Sequence, residues 1–296
     1  VLERVLSPWQ KNMKKFAIIL VFSIIFVTVF VSTTGCTDKR PTPSDSVAVD
    51  SIQSDSTAAD TLETLITEQP MPKSADELFD DFFFNFAANR KLQRKRIHFP
   101  LPIYRDGKVE KTIRKGEWKT DNFFMRQDFY TLIFDNAKQM QVVKDTTIGH
   151  VVVEKIYFKT KTVKQYLFNR VNGEWLLTSI NFKHMYQNSN ASFLAFYQRF
   201  AADSAFQIQS VNDPLKFVGP DPDNDFATTS GTLLPEQWSS FAPELPRDLI
   251  YNIIYGQKYV TSDQKIFVIR GIANGLETEL TFKRRGGKWK LTKLSM

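Results

Sequence analysis

Three groups of residues in this chain have types and spacings that could carry chemistry. Cys36 is the one cysteine among 296 residues, and it follows Thr33-Thr34-Gly35 at the end of an apolar run, Phe16 to Val31, preceded by Met13-Lys14-Lys15. A basic start, a short apolar stretch and small residues before a cysteine specify export, cleavage and attachment of lipid at the cysteine sulfur. Asp128 and Asp248 each stand ten residues after a tryptophan, Trp118 and Trp238. A carboxyl set in an apolar pocket has a raised pKa and works as an acid or base near neutral pH. The run Arg90-Lys91-Leu92-Gln93-Arg94-Lys95-Arg96 holds five cations in seven residues, a density suited to a phosphate-rich or otherwise anionic partner.

Each group has a plainer reading. Phe16 to Thr34, if tilted, would span hydrocarbon about 30 Å thick and serve as a retained anchor. Asp248 follows Pro246-Arg247 where a helix start is expected, and a carboxylate there favours the helix dipole; Asp128 takes the same reading by analogy. Arg90, Lys91, Arg94, Lys95 and Arg96 would be a solvated helix end with cations at the negative pole. Their counterpart, Asp203 to Ser210, is not basic, so the fold does not demand the charge.

Other chemistry has no positive support. His98, His150 and His184 are isolated, and no second cysteine joins them, so no metal site is expected. No Gly-x-Ser-x-Gly elbow and no glycine-rich phosphate loop occurs, so no cofactor is expected either. Nucleic acid is not an expected partner of an exported protein.

The elements that must position these residues follow from composition and period. Residues 1–35 read as the signal segment, with Met13 as its expected true start. Residues 36–73, rich in Pro, Ser, Thr, Asp and Ala, bury too little apolar surface to offset the entropy of ordering and read as a tether. The rest says one thing twice: Phe79 to Leu101 lines up on Phe193 to Leu215, and Gly173 to Thr178 on Gly287 to Thr292, both shifted by 114 residues. Two copies of one domain are expected, 74–187 and 188–296. The first copy holds 20 bases and 13 acids, the second 12 and 11.

Within each copy the hydrophobic period changes in a fixed order. Leu78, Phe79, Phe82, Phe83 and Phe86 recur at helical spacing behind a Ser74/Glu77 capping pair. Asp106-Gly107 marks a hairpin turn between extended arms. The apolar set from Phe123 to Phe134 predicts one or two further helices, and Pro235 and Pro246 predict two short helices in the second copy. Strands are predicted over 151–158, 163–168 and 175–180, and again over 265–272, 277–283 and 289–294. Helices followed by an antiparallel meander make an α+β domain whose curved sheet wraps the first helix. The paired tryptophans, Trp118 with Trp238 and Trp175 with Trp289, are expected as core anchors.

This order, with Phe-x4-Gly-x-Trp-x-Leu in the last hairpin of each copy (Phe168 to Leu177, Phe282 to Leu291), resembles the nuclear transport factor 2-like, or cystatin-like, α+β fold. With signal, tether and tandem domains, the whole resembles a lipoprotein family of unknown function from Bacteroides-type bacteria. The resemblance implies a cone between sheet and helices where related isomerases and dehydratases place Asp, Tyr or His, which makes Asp128 and Asp248 the candidates for an isomerase or hydrolase. The leading expectation is a non-catalytic envelope lipoprotein, anchored through acylated Cys36 at the outer membrane. Its tandem domains would bind a small apolar ligand, an anionic glycan or an envelope protein. A scaffold whose cones are filled by Phe and Trp is the remaining alternative.

Overall fold

The computed structural model describes residues 78–296 apart from 222 and 273, so Cys36 and the Ser74/Glu77 capping pair lie outside the described residues. Helix α1 (Phe79–Ala88) buries Phe79, Phe82, Phe83, Phe86 and Ala87, one face at helical spacing. Asn89 ends it and caps the next helix, α2 (Arg90–Lys95), its side chain accepting from the backbone N–H groups of Lys91 and Leu92. The predicted hairpin follows as β1 (Leu101–Arg105) and β2 (Lys108–Ile113). Asp106 (φ 49°) and Gly107 (φ 80°) supply the two left-handed residues that its turn requires.

Beyond a 3-10 turn at Phe123–Arg126 come β3 (Phe129–Phe134), β4 (His150–Tyr157), β5 (Thr162–Val171) and β6 (Glu174–His184). The second half repeats the order: α3 (Ala191–Ala202), α4 (Ser204–Ser210), β7 (Val211–Asp221), β8 (Asn224–Leu233), the short α5 (Trp238–Phe241), β9 (Leu249–Ile254), β10 (Gln264–Gly271), β11 (Glu277–Arg285) and β12 (Lys288–Ser295).

All twelve strands form one sheet in the order β2-β1-β6-β5-β4-β9-β3-β10-β11-β12-β7-β8. Replacing each of β1–β6 by its counterpart among β7–β12, and the reverse, turns this order into itself read backwards. The sheet therefore has an internal two-fold pattern, with β3 and β9 at its centre. Each of these two strands pairs with a strand of the other half. β9 of the second half pairs with β4 of the first (Glu154 opposite Asn252), and β3 of the first pairs with β10 of the second (Leu132 opposite Val268). Residue 188 lies between β6 and α3, yet strand pairing runs across it, and residues 69–296 form one compact unit.

Two cores lie on opposite faces of this sheet. One gathers around α1 and includes Tyr166, Phe168, Trp175 and, from the other half, Tyr251, Ile253 and Tyr255. The other gathers around α3 with Phe282, Trp289 and Leu291, and takes Ile133, Ile156 and Phe158 from the first half. The paired tryptophans are buried, Trp175 completely. This sharing extends to the helix, because Asp80 of α1 accepts a hydrogen bond from the Tyr255 hydroxyl at 2.5 Å.

Two expectations need correction. Residues 129–134 are a strand, not a helix: Phe-Tyr-Thr-Leu-Ile-Phe has no exposed face, because Tyr130, Leu132 and Phe134 face one core and Ile133 the other. A strand covered on both faces carries no alternation to tell it from helix. In the second half Pro235 does open a helical turn, but Pro246 and Asp248 precede strand β9. The helix-dipole role for Asp248 is therefore withdrawn, and with it the same role for Asp128.

Candidate functional site

Asp128 and Asp248 are both exposed. They occupy equivalent places, each just before a central strand, and each does the same backbone work. The Asp128 carbonyl accepts from Ile272 N–H at 3.0 Å and the Asp248 carbonyl from Phe158 N–H at 3.1 Å. Asp128 has φ 61°, a left-handed conformation that Asp tolerates better than most residues.

Two carboxylates are set among rings: Asp80, which burial raises above its usual pKa beside Tyr255 and Tyr130, and Asp121. Asp121 sits beside a row of side chains that crosses four strands on the face carrying the α1 core. Tyr251 of β9 is opposite Lys155 of β4, Lys155 is opposite Lys164 of β5, and Lys164 is opposite Phe182 of β6. The cations lie against rings: Lys155 Nζ is 5.1 Å from the Tyr251 ring centre, and Lys164 Nζ is 4.4 Å from that of Tyr166 and 5.8 Å from that of Phe182. Asp121 accepts a short hydrogen bond from the Tyr166 hydroxyl and stands 3.7 Å from Lys164 Nζ.

Two lysines directly opposite one another destabilise a sheet, and these two are half-buried. Burial pulls the Lys164 ammonium below the ordinary lysine value, and Lys155 adds to the shift, by more than Asp121 restores. For Lys155 burial acts downward too, but the Tyr251 hydrogen bond and the Asp121 charge leave it above the ordinary value. Burial works to raise the Asp121 carboxyl, and the Tyr166 hydroxyl with the two lysines leaves it below its usual range. Tyr166 is pushed far up, by burial first and then by the charge of Asp121, so its hydroxyl remains a donor.

The second half shows that the fold does not need this row. At the matching register Thr131 is opposite Ile269 and Ile269 is opposite Thr278. Lys155 thus corresponds to Ile269, Lys164 to Thr278, and Tyr166 to Leu280. A costly arrangement made in one copy and omitted in the other points to a use outside folding.

A second polar cluster lies buried near the centre of the sheet. Glu154 Oε1 accepts from Gln165 Nε2 at 2.9 Å and Asn188 Nδ2 at 2.8 Å, and its Oε2 accepts from Asn252 Nδ2 at 3.0 Å. Burial nevertheless leaves Glu154 above the usual carboxylate pKa. Lys265 is buried against Asp135, and its Nζ also donates to Asn190 Oδ1 at 2.6 Å. These contacts join β3, β4, β9 and β10 to residues 188–190 between the halves, which gives the cluster a structural role.

Of the basic run, Arg90, Lys91, Arg94 and Lys95 are exposed on α2. Arg96 is not: only 4 % of its surface is accessible, and it is 3.4 Å from Glu174 and against the Phe82 ring. It anchors α2 to β6 and is removed from the partner-binding set. His98, His150 and His184 are exposed, and among the described residues no three His, Cys, Asp or Glu side chains gather as metal ligands. No helix among the described residues is long and apolar enough to cross a membrane. The α1 core is filled by rings, Phe79 packing on Phe83, Phe168 and Trp175 with centres 5.1–5.4 Å apart.

Residues 58–296 match the family model described as Domain of unknown function (DUF4348). A crystal structure of a nuclear transport factor 2-like protein from Bacteroides fragilis is similar at 42% identity and a TM-score of 0.71, over 76% of this chain and 98% of that one. No curated protein matches the chain. The α+β, nuclear transport factor 2-like fold expected from the sequence is the fold observed.

Proposed function

We propose that this chain, which belongs to the family described as Domain of unknown function (DUF4348), is an exported cell-envelope lipoprotein whose first half binds a ligand through the lysine and aromatic row. Acylated Cys36 would hold it at the outer membrane, with residues 36–73 as the tether. The two halves read as tandem copies of one unit that have exchanged their central strands, a reading supported by the symmetry of the strand order.

One observation carries the binding role: Lys155 faces Lys164 under Asp121 and a wall of rings, where the second copy has Ile269 facing Thr278. Paired cations beside aromatic faces favour a ligand with an anionic group and a flat apolar face, an anionic glycan among them. At this row the electrostatics speak for recognition over proton transfer. Asp121 is held ionised and Tyr166 protonated around neutral pH, so neither is poised to exchange a proton there. Asp128 and Asp248 are exposed, without the apolar pocket that an isomerase or hydrolase carboxyl would need. The ring-filled α1 core favours binding at the exposed side of the lysine row over a deep cavity.

Native mass spectrometry of the protein purified from its own envelope tests the proposal. The expected result is an acyl mass at Cys36 together with a non-covalently held ligand. An unacylated, intact N-terminus would reject the lipoprotein reading, and a ligand-free protein would reject the binding role.

A further inference from the structure

The positive charge of this molecule is concentrated at one end of its sheet. Residues 90–119, which make α2, the edge hairpin β1–β2 and the loop after it, hold 11 Lys and Arg against three Asp and Glu, in a chain whose net charge is +7. Their counterparts, residues 204–239 around α4 and the hairpin β7–β8, hold one base and five acids. Strands β2 and β8 are the two edges of the sheet, so the two edge hairpins with their helices carry charge of opposite sign.

The basic end is one surface. Gln93 of α2 donates to the Asp121 carbonyl at 2.7 Å and accepts from the Trp118 indole at 3.2 Å, which clasps the 114–121 loop against the helix. Arg114, Lys115 and Lys119 on that loop are exposed, as are the four cations of α2. The nearby acid Glu117 is engaged with its own loop, accepting from Arg114 N–H at 2.8 Å. Helix α2 follows α1 after the single residue Asn89, so α1 separates the basic surface from the point where the chain enters the described residues.

We propose that the basic end docks on the phosphate headgroups of an anionic membrane surface. Each exposed cation gains from the negative surface potential, and the acidic end is turned away by the same field. Part of this orientation rests on the proposed tether from Cys36, but the surface itself is testable without it. Residues 69–296 form a compact unit of their own.

That unit is mixed with phosphatidylcholine vesicles that either contain or lack phosphatidylglycerol, and binding is read by co-sedimentation. Binding should require the anionic lipid and fall with salt. Arg90→Gln/Lys91→Gln/Arg94→Gln/Lys95→Gln should weaken it at least about 100-fold, since each cation near the surface is worth roughly fivefold. Arg114→Gln/Lys115→Gln/Lys119→Gln should weaken it by about 100-fold. The control Lys283→Gln/Lys288→Gln/Lys290→Gln, exposed at the β11–β12 turn, should bind like the parent, with Tm unchanged in all three.

Equal binding to neutral vesicles, or equal losses in the control, would overturn the proposal. So would displacement by inorganic phosphate, which would make this a free-anion site, and so would self-association at low salt without vesicle binding, which would make the acidic end of a second copy the partner. None of these outcomes changes the acyl mass at Cys36, so failure here is distinguishable from failure of the lipoprotein reading.

Discussion

Asp121 holds together a row that would otherwise repel itself. Asp121→Asn leaves Lys155 facing Lys164 without a counter-charge and weakens the bond to Tyr166, and should cost about 1–3 kcal/mol in chemical denaturation; an unchanged midpoint would remove Asp121 from this role. Because the native Asp121 pKa is lowered, its contribution is present above the ordinary carboxylate value and is lost as pH falls through the native value. Glu154 has the opposite sign. Its native pKa is raised, so its contribution is present below the ordinary glutamate value and is lost as pH rises through the native one. Glu154→Gln should therefore flatten the acid-to-neutral slope of stability and melt higher than the parent at neutral pH. A variant with the parent's pH profile would contradict this.

At the scale of elements, the sequence made the outer strands legible and the central ones illegible, for the same reason. Val151, Val153, Leu167 and Trp175 sit in strands with visible alternation or next to a turn such as Asn172-Gly173, and β4, β5, β6, β10, β11 and β12 fall where the periodicity puts them. Strands β3 and β9 are packed on both faces, so they carry no period, and local sequence says nothing about a partner 120 residues away. The site shared that fate. Lys155-x-Tyr157 and Lys164-x-Tyr166 place lysines in phase with core residues, a signal that could have been noticed. Their meeting across strands depends on register, which a single sequence does not specify.

The central strands also depend on the ion pair of Lys265 on β10 with Asp135, next to the end of β3. Lys265→Met leaves a buried carboxylate without its cation and should cost about 3–5 kcal/mol, most of which Lys265→Met/Asp135→Leu should restore. Equal melting of the single and double variants would show that the pair is not coupled.

For the whole molecule, neither half owns a complete core. Tyr251, Ile253 and Tyr255 belong to the core around α1, and Ile133, Ile156 and Phe158 to the core around α3. Residues 74–187 or 188–296 expressed alone should lack cooperative unfolding by circular dichroism, whereas 69–296 should melt in a single transition. A half that folds alone with a sharp transition would show that the sharing is dispensable. This joint scaffold gives the two halves one stability while leaving them free to differ in surface chemistry, as they do at Lys155 and Lys164 against Ile269 and Thr278. The most direct test of that division is native mass spectrometry of envelope-purified parent, Lys155→Ala/Lys164→Ala and Thr278→Ala proteins side by side. The ligand mass should vanish from the lysine variant alone; a ligand retained by that variant, or lost equally from Thr278→Ala, would contradict the account.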